Sequence, residues 1–382
     1  MSYQTGAYNL YAGELMVEEL VRCGVGQFCL SPGARCTPLT IAVADHPTAK
    51  RCIFHDERAA AYHALGYARA TGRAAVLICT SGTAAANYLP AVVEASMDMV
   101  PMILLTADRP PELRDCGANQ SIDQLNLYGH YTRWHFDVPC PDKNVPPESI
   151  LTMIDQAVHR AHSSPAGPVH LNCMFREPLL PERGSNVAPS DSPVLATWRG
   201  RQRAFTTYEQ RQAVLSDDQL KHVSDIINSA ASGLLVVGRL SNDTERTAVE
   251  RFARRLGWPV LPDILSGLRL GADADNIIPY YDLLLQSVDD WKIARPAVAL
   301  HLGGRLVSKR LMTFLKTASF DELLHVADHP YRHDWQHMVT HRLECSPATF
   351  CETVTPHVST APSHEFGSRL QDASDKIDSI VQ

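Results

Sequence analysis

The chain has 382 residues, which is more than a single domain usually holds, so the length predicts at least two domains. Hydrophobic residues make up 45% and charged residues 20% of the sequence, as is typical of globular proteins. The net charge of -7 argues against a general binder of nucleic acids or acidic membranes, and no apolar run is long enough to span a bilayer. Because the N-terminus lacks the basic and apolar regions of a secretory signal, we expect a cytoplasmic protein.

The ten cysteines are scattered along the chain, and no C-x-x-C pair occurs. A disulfide framework or a zinc site would need tighter spacing or an oxidising compartment, so we expect reduced and mostly buried thiols. The histidine-rich run from His329 to His341 is interpreted as a solvated surface rather than a metal site.

Short apolar runs alternate with helical patterns over residues 1–183. The runs typical of buried strands are GQFCL, RCIFH, AAVLICT, VPMILLTAD, YTRWHFDVPCP and GPVHLNCMF. Because most of these runs are almost continuously apolar, the pattern predicts an α/β domain whose parallel sheet is covered by helices on both faces.

The rest of the chain predicts a second domain of the same class. Residues 184–215 are rich in Pro, Ser, Arg and Gln without periodicity and predict a linker. Strand and helix patterns resume over 216–345, so the predicted fold has two doubly wound parallel-sheet domains. Residues 346–382 are interpreted as a linker and one amphipathic helix with no visible partner, at the start of a further domain.

Two strand-to-helix junctions carry candidate functional residues. Glu57 follows the strand RCIFH and begins a helical pattern, where an open α/β sheet places its ligands. An acid there is also favoured by the helix dipole alone, so a functional carboxylate and an ordinary first-turn acid both remain open. Ser81, Gly82 and Thr83 likewise begin a helix after a strand, where either ligand binding or simple capping explains them.

Several common enzyme classes are excluded by missing motifs. The sequence has no G-x-G-x-x-G, no G-x-x-x-x-G-K-[ST] and no G-x-S-x-G, which argues against nicotinamide enzymes, P-loop NTPases and α/β-hydrolases. A long polar stretch after Arg109 is too long for an ordinary connection, and such loops usually carry function.

Four segments taken together resemble the thiamine-diphosphate-dependent enzymes: SPGARCTPLT, HDERAAAYHALGYARATG, CTSGTAAANYLPAVVEAS and LLTADRPPELRDCGANQSIDQ. The last segment narrows the resemblance to the branch that joins 2-oxoglutarate to isochorismate in menaquinone biosynthesis. The similarity is dense over residues 10–180 and thinner over 230–345. It implies a pyrimidine-binding domain followed by a central Rossmann-like domain.

The resemblance also implies roles for individual residues. Glu57 matches the catalytic glutamate, which bonds N1′ of the cofactor's aminopyrimidine, and Ser81, Gly82 and Thr83 match the turn that lies near this ring. The positions that match those holding substrate carboxylates are Arg35, Arg109, Gln120, Lys309 and Arg310. Arginine forks grip carboxylates in this way, and both implied substrates are anionic.

The implied activity is a transferase reaction with thiamine diphosphate and Mg²⁺ as cofactors. Carbon dioxide leaves 2-oxoglutarate, and the succinyl carbanion adds to isochorismate. The resemblance implies a homo-oligomer, a dimer or tetramer, with the active site between the pyrimidine domain of one subunit and the diphosphate domain of its mate.

Two departures from the family pattern qualify this reading. Ala34 stands where the family usually has Ser, and the sequence contains no Gly-Asp dipeptide, whereas the family's third domain binds diphosphate and Mg²⁺ through a G-D-G motif. We therefore expect no metal ligand in this chain and no activity of the chain alone. It would be a fragment of a longer product, half of a split enzyme, or a non-catalytic binding protein.

Overall fold

The computed structural model describes residues 2–182, 192–209, 211–271, 274–287, 295–359 and 365–381. The chain divides into two compact units, Met1–Gln210 and Arg211–Gln382. Each contains one parallel sheet with helices on both faces, which confirms the predicted α/β class of two doubly wound domains. Across these ranges, no helix has the length and apolar character that crossing a membrane requires.

The first unit is built on a six-stranded sheet in the order β2-β1-β3-β4-β6-β5. Its strands are β1 (Gln27–Ser31), β2 (Arg51–Ile53), β3 (Ala75–Cys79), β4 (Met102–Asp108), β5 (Trp134–Val138) and β6 (Pro168–Met174). Its helices are α1 (Ser2–Arg22), α2 (Thr37–Asp45), α3 (Glu57–Thr71), α4 (Thr83–Ala86), α5 (Leu89–Met97), α6 (Pro147–His162) and α7 (Pro193–Arg199).

Alternate residues of the central strands face two different cores. In β1, Phe28 and Leu30 pack into the core that includes α1, α2 and α6, whereas Cys29 packs into the core that includes α3 and α5. Successive side chains of a strand point to opposite faces of the sheet, so a strand covered on both faces must be apolar throughout. This is why the strands read as continuous apolar runs.

Helix α3 has clear start and stop signals. The Asp56 carboxylate accepts a hydrogen bond from the backbone N–H of Ala59 at 2.9 Å and caps the first turn. Gly72 ends the helix in the left-handed conformation at a φ of 69°, which a glycine adopts without steric cost. These local signals place Glu57 at the first position of the helix.

The second unit is built on a five-stranded sheet in the order β11-β10-β9-β7-β8. Its strands are β7 (Gly233–Val237), β8 (Val260–Pro262), β9 (Val298–Leu302), β10 (Glu322–Val326) and β11 (His341–Leu343). Its helices are α8 (Asp217–Ser229), α9 (Asp243–Leu256), α10 (Tyr281–Leu284), α11 (Lys309–Thr317), α12 (Pro347–Val354) and α13 (Glu365–Val381).

The C-terminal amphipathic helix has a partner that the sequence did not reveal. In α13, Phe366 and Leu370 are buried in one core of the second unit, and in α12 Phe350 and Cys351 are buried in the other. An amphipathic helix needs an apolar surface to cover. Helix α13 covers one face of the second sheet, and α12 covers the other.

Part of the stretch predicted to be a linker packs into the first unit. Helix α7 buries Leu195 and Trp198 in the core of that unit, and the indole N–H of Trp198 donates to Glu19 Oε2 at 2.7 Å. The backbone N–H of Phe205 donates to the other oxygen of Glu19. Helix α7 has only seven residues and the contact of Phe205 is a single one, so this stretch shows no clear helix or strand periodicity in the sequence.

A second buried carboxylate adjoins the first. The backbone N–H of Thr206 donates to Asp155 Oδ2 at 2.7 Å, and the Cys23 thiol donates to Asp155 Oδ1 at 3.3 Å. Burial, followed by the neighbouring Asp155, raises the pKa of Glu19 well above its usual range. The folded protein therefore holds a proton on this pair that the unfolded chain releases.

We predict that this pair makes stability pH-dependent. The free energy of unfolding should fall as the pH rises from the ordinary range of a glutamate to about 8, because only the unfolded state loses the proton there. In Glu19→Gln this fall should be smaller, as measured by urea unfolding at several pH values. An unchanged pH dependence in the variant would contradict the assignment to Glu19.

Tight packing in the second unit gives a further stability prediction. A methyl group on Gly233 would lie 2.1 Å from the ring of the buried Trp258, so Gly233→Ala should destabilise the protein by about 1–3 kcal/mol or more. Gly66 in α3 has open space around it, and Gly66→Ala should stabilise by about 0.5–1 kcal/mol. Calorimetry of both variants checks the two opposite signs, and equal effects would refute this packing argument.

Candidate functional site

The candidate site lies at the carboxyl edge of the first sheet. From β1 the chain turns to β2 on one side, and it then crosses over to β3 on the other side of β1. Ligands of open α/β sheets bind in the crevice at such a switch in strand order. The turns after β1 and β3 therefore border the place where a ligand is expected.

These two turns approach each other closely. A Cβ atom on Gly33 would lie 2.6 Å from Cβ of Thr80, so only glycine fits there without movement of the backbone. The backbone N–H of Arg35 donates to Thr80 Oγ1 at 3.3 Å. This hydrogen bond joins the turn that carries Arg35 to the turn that carries Thr80 and Ser81.

Arg35 is buried and has two partners in its own unit. Its Nη1 donates to the carbonyl of Phe175 at 2.9 Å, and its Nη2 pairs with Glu177 Oε1 at 2.7 Å. The Glu177 side chain is 71% exposed, so this counter-ion lies at the open surface of the site. An incoming carboxylate that takes the place of Glu177 can reach the guanidinium from that side.

Arg109 and Gln120 both bond Ser81, so these three predicted residues lie together. Arg109 Nη1 donates to the hydroxyl of Ser81, which is fully buried, and Gln120 Nε2 donates to the carbonyl of Ser81 at 3.0 Å. Burial and then the nearby Arg35 lower the pKa of Arg109. Two guanidinium groups close enough to affect each other favour the binding of an anion.

The residues around the Ser81 turn adopt uncommon backbone conformations. Gly82 has a φ of 87°, and Gln120 has a φ of 55° although it is not a glycine. A Cβ on Gly82 would lie 3.0 Å from the Gln120 side chain. Left-handed conformations of bulky residues persist where surrounding contacts impose them, and they cluster at functional sites.

Glu57 begins α3 after the edge strand β2 and is partly buried. Its Oε2 accepts a hydrogen bond from Asn87 Nδ2 at 3.1 Å. Its other oxygen, Oε1, has no hydrogen-bond partner in the described part of the chain. The carboxylate is thus held by one oxygen, and the other oxygen is available to a ligand.

Lys309 and Arg310 belong to the second unit, at the first two positions of α11. Ser308 caps this helix by accepting a hydrogen bond from the backbone N–H of Leu311 at 3.0 Å. Arg310 Nη1 pairs with Asp282 Oδ2 at 2.9 Å, and Lys309 is exposed. Six predicted residues come together in the first unit: Arg35, Ser81, Gly82, Thr83, Arg109 and Gln120. Glu57 is linked to the same unit's α4 by its hydrogen bond from Asn87, which lies between α4 and α5.

Sequence reasoning missed Gln124, which holds the Ser81 turn in place. Gln124 is almost fully buried, and its Oε1 accepts from the backbone N–H of Gly82 at 2.8 Å. Its Nε2 donates to the carbonyl of Ala107 at 3.2 Å and to Asn172 Oδ1 at 2.9 Å. A glutamine in a polar stretch carries no sequence signal of such burial.

A charged network anchors the same long loop to the sheet. Asn172 Nδ2 donates to Asp108 Oδ2 at 2.9 Å and to Asp137 Oδ1 at 2.8 Å. Arg114, within the polar stretch after Arg109, pairs with both carboxylates at 3.1 Å. The loop that carries Arg109 and Gln120 is therefore ordered by buried polar contacts instead of helical or strand structure.

The described residues include one group that could hold a metal ion, formed by Glu19, Cys23 and Asp155. Its carboxylate oxygens already accept the hydrogen bonds from Trp198 and from the backbone of the chain between α7 and α8. Mg²⁺ prefers oxygen ligands and retains water, so a buried group that includes a thiol does not fit it. We assign no magnesium ligand to this group.

Comparison with protein families gives two matches along the chain. Residues 10–127 match the family described as thiamine pyrophosphate enzyme, N-terminal TPP binding domain. Residues 192–382 match the family described as middle domain of thiamine pyrophosphate. The first match covers Arg35, Glu57, the Ser81 turn, Arg109 and Gln120.

The chain is also similar to several curated proteins named 2-succinyl-5-enolpyruvyl-6-hydroxy-3-cyclohexene-1-carboxylate synthase. It is 48% identical to that of Rubrobacter xylanophilus over 96% of this chain and 64% of the relative. It is 42% identical to that of Salinibacter ruber over 97% of this chain and 63% of the relative. The chain thus spans somewhat less than two thirds of the length of these relatives.

The role of Gln124 in ordering the turn can be tested with an isosteric change. In Gln124→Glu the bond from Gly82 remains, but a carboxylate oxygen then faces the acceptors on Ala107 and Asn172. We expect a loss of about 1–3 kcal/mol in the free energy of unfolding, measured by urea denaturation. The exposed Gln202→Glu serves as the matched control, and equal stabilities of the two variants would count against the role of Gln124.

Proposed function

This chain belongs to the thiamine pyrophosphate enzyme family, and from that premise we propose that it acts in the synthesis of 2-succinyl-5-enolpyruvyl-6-hydroxy-3-cyclohexene-1-carboxylate. The substrates of this proposed reaction are 2-oxoglutarate and isochorismate. The names of relatives that are 42–48% identical over most of this chain support the proposal. The first unit would contribute the pyrimidine side of the site.

One observation carries the proposal above the others. Glu57 presents one oxygen to Asn87, the residue that follows α4, and leaves Oε1 without a partner in the described ranges. This carboxylate fits the aminopyrimidine of thiamine diphosphate, because a carboxyl group with one free oxygen can share a proton with a ring nitrogen. Thiamine diphosphate, when bound, supplies the nucleophilic carbon that adds to a 2-oxo acid and holds the electron pair after carbon dioxide leaves.

In this proposal the arginines orient the anionic substrates. Arg35 and Arg109 lie beside the Ser81 turn, and Gln120 adds an amide that can bond a substrate oxygen. Buried or half-buried guanidinium groups bind carboxylates more strongly than exposed ones, because less water competes. Lys309 and Arg310, at the start of α11 in the second unit, are also proposed to bind a substrate carboxylate.

We include three further features in the proposal. Mg²⁺ would accompany the diphosphate without ligands from the group at Glu19, and the protein would work in the cytoplasm. It would also act as a homo-oligomer. Glu57 is partly exposed, and an acid that works on a cofactor shielded from water needs a covering surface, which a second subunit would supply.

The central test is Glu57→Gln, in the protein as its gene encodes it. Turnover of 2-oxoglutarate and isochorismate should fall about a hundredfold or more, because an amide cannot exchange a proton with the ring. Thermal unfolding should change little. Glu94→Gln on the exposed face of α5 is the matched control, and wild-type turnover of Glu57→Gln would leave Glu57 as an acid favoured only by the helix dipole.

A further inference from the structure

The hydrogen bond between Asn87 and Glu57 connects a break in one helix with the start of another. The chain breaks its helix between α4 and α5, and Asn87 is the first residue of that break. Its backbone N–H still bonds the carbonyl of Thr83 at 3.1 Å, in the manner of an α-helix. The next residue, Tyr88, has a fully buried side chain, and its backbone N–H donates to the carbonyl of Ala85 at 3.2 Å. These two backbone hydrogen bonds and the burial of Tyr88 hold the backbone of Asn87 in place.

The side chain of Asn87 reaches a different helix. Its Nδ2 donates to Oε2 of Glu57 at 3.1 Å, across from the first turn of α3. Asn87 itself is exposed and Glu57 is only partly buried, so this bond contributes little to the stability of the fold. The contact nevertheless joins the break between α4 and α5 to the first residue of α3.

A single amide donor selects the carboxylate oxygen that stays bound to the protein, and so it decides which oxygen faces a ligand. Without Asn87 the side chain of Glu57 could rotate freely, since no other donor in the described ranges binds it.

We propose that Asn87 is a positioning residue, which holds the carboxylate of Glu57 so that Oε1 meets the aminopyrimidine nitrogen. This inference rests on the proposed function of Glu57. Asn87 touches no reacting atom in this arrangement and acts only through the carboxylate that it orients.

The test uses Asn87→Ala and Asn87→Leu, in the protein as its gene encodes it. Both variants remove the N–H donor without adding a charge, and Asn87→Leu keeps the size of the side chain in case the alanine variant folds poorly. We expect turnover to fall about a hundredfold, because a misplacement near one ångström has that effect, whereas KM for 2-oxoglutarate should stay within about twofold. Asn144→Ala, at an exposed loop position, is the control and should match the wild type.

A second measurement is made on the cofactor-free protein. With ¹³C in the glutamate carboxyl groups, the Glu57→Gln variant identifies the resonance of Glu57. This resonance should shift in Asn87→Ala and stay in place in Asn144→Ala. A loss of turnover with no such shift would overturn the proposal, because Asn87 would then act on something other than the carboxylate.

The two proposals fail in different ways. If Glu57→Gln abolishes turnover but the Asn87 variants keep wild-type turnover and resonance, the positioning role is wrong and the proposed function stands. If Glu57→Gln keeps turnover, the proposed function falls, and the positioning role falls with it.

Discussion

The close approach of two turns at the carboxyl edge of the first sheet is the constraint on which the candidate site depends. Gly33, after β1, lies so near Thr80, after β3, that a Cβ would be 2.6 Å from the threonine side chain. Because β1 and β3 are neighbours at the switch in strand order, the residues that follow them are brought together. Arg35 and Ser81 owe their proximity to this contact and not to any local feature of their own segments.

The long loop after β4 completes the site without regular structure. Gln124 bonds the backbone of Gly82 from within this loop, while Arg114 and Asn172 join it to carboxylates at the ends of β4 and β5. Buried polar groups of this kind are costly unless all their partners are present. A network with its partners in place therefore holds Arg109 and Gln120 in position before any ligand arrives.

The positive and negative charges of the site lie in different places. Arg35 and Arg109 gather positive charge beside the Ser81 turn, where Glu177 serves as an exposed counter-ion. Glu57 lies apart from that pair, on the helix that follows the edge strand, and is bonded by the neutral amide of Asn87. An ion pair between Glu57 and an arginine would have bound its carboxylate firmly, whereas a single amide leaves one oxygen available.

The sequence by itself determined the α/β class, the strands and most helices, because apolar periodicity and caps such as Asp56 are local signals. It also marked Glu57 and the Ser81 turn through strand-to-helix junctions and family motifs. Only the tertiary structure decided the roles of Gln124 and Asn87 and the packing of Trp198 and α13. Their partners are distant in the chain, and an isolated amide, indole or amphipathic face does not identify the surface that it will meet.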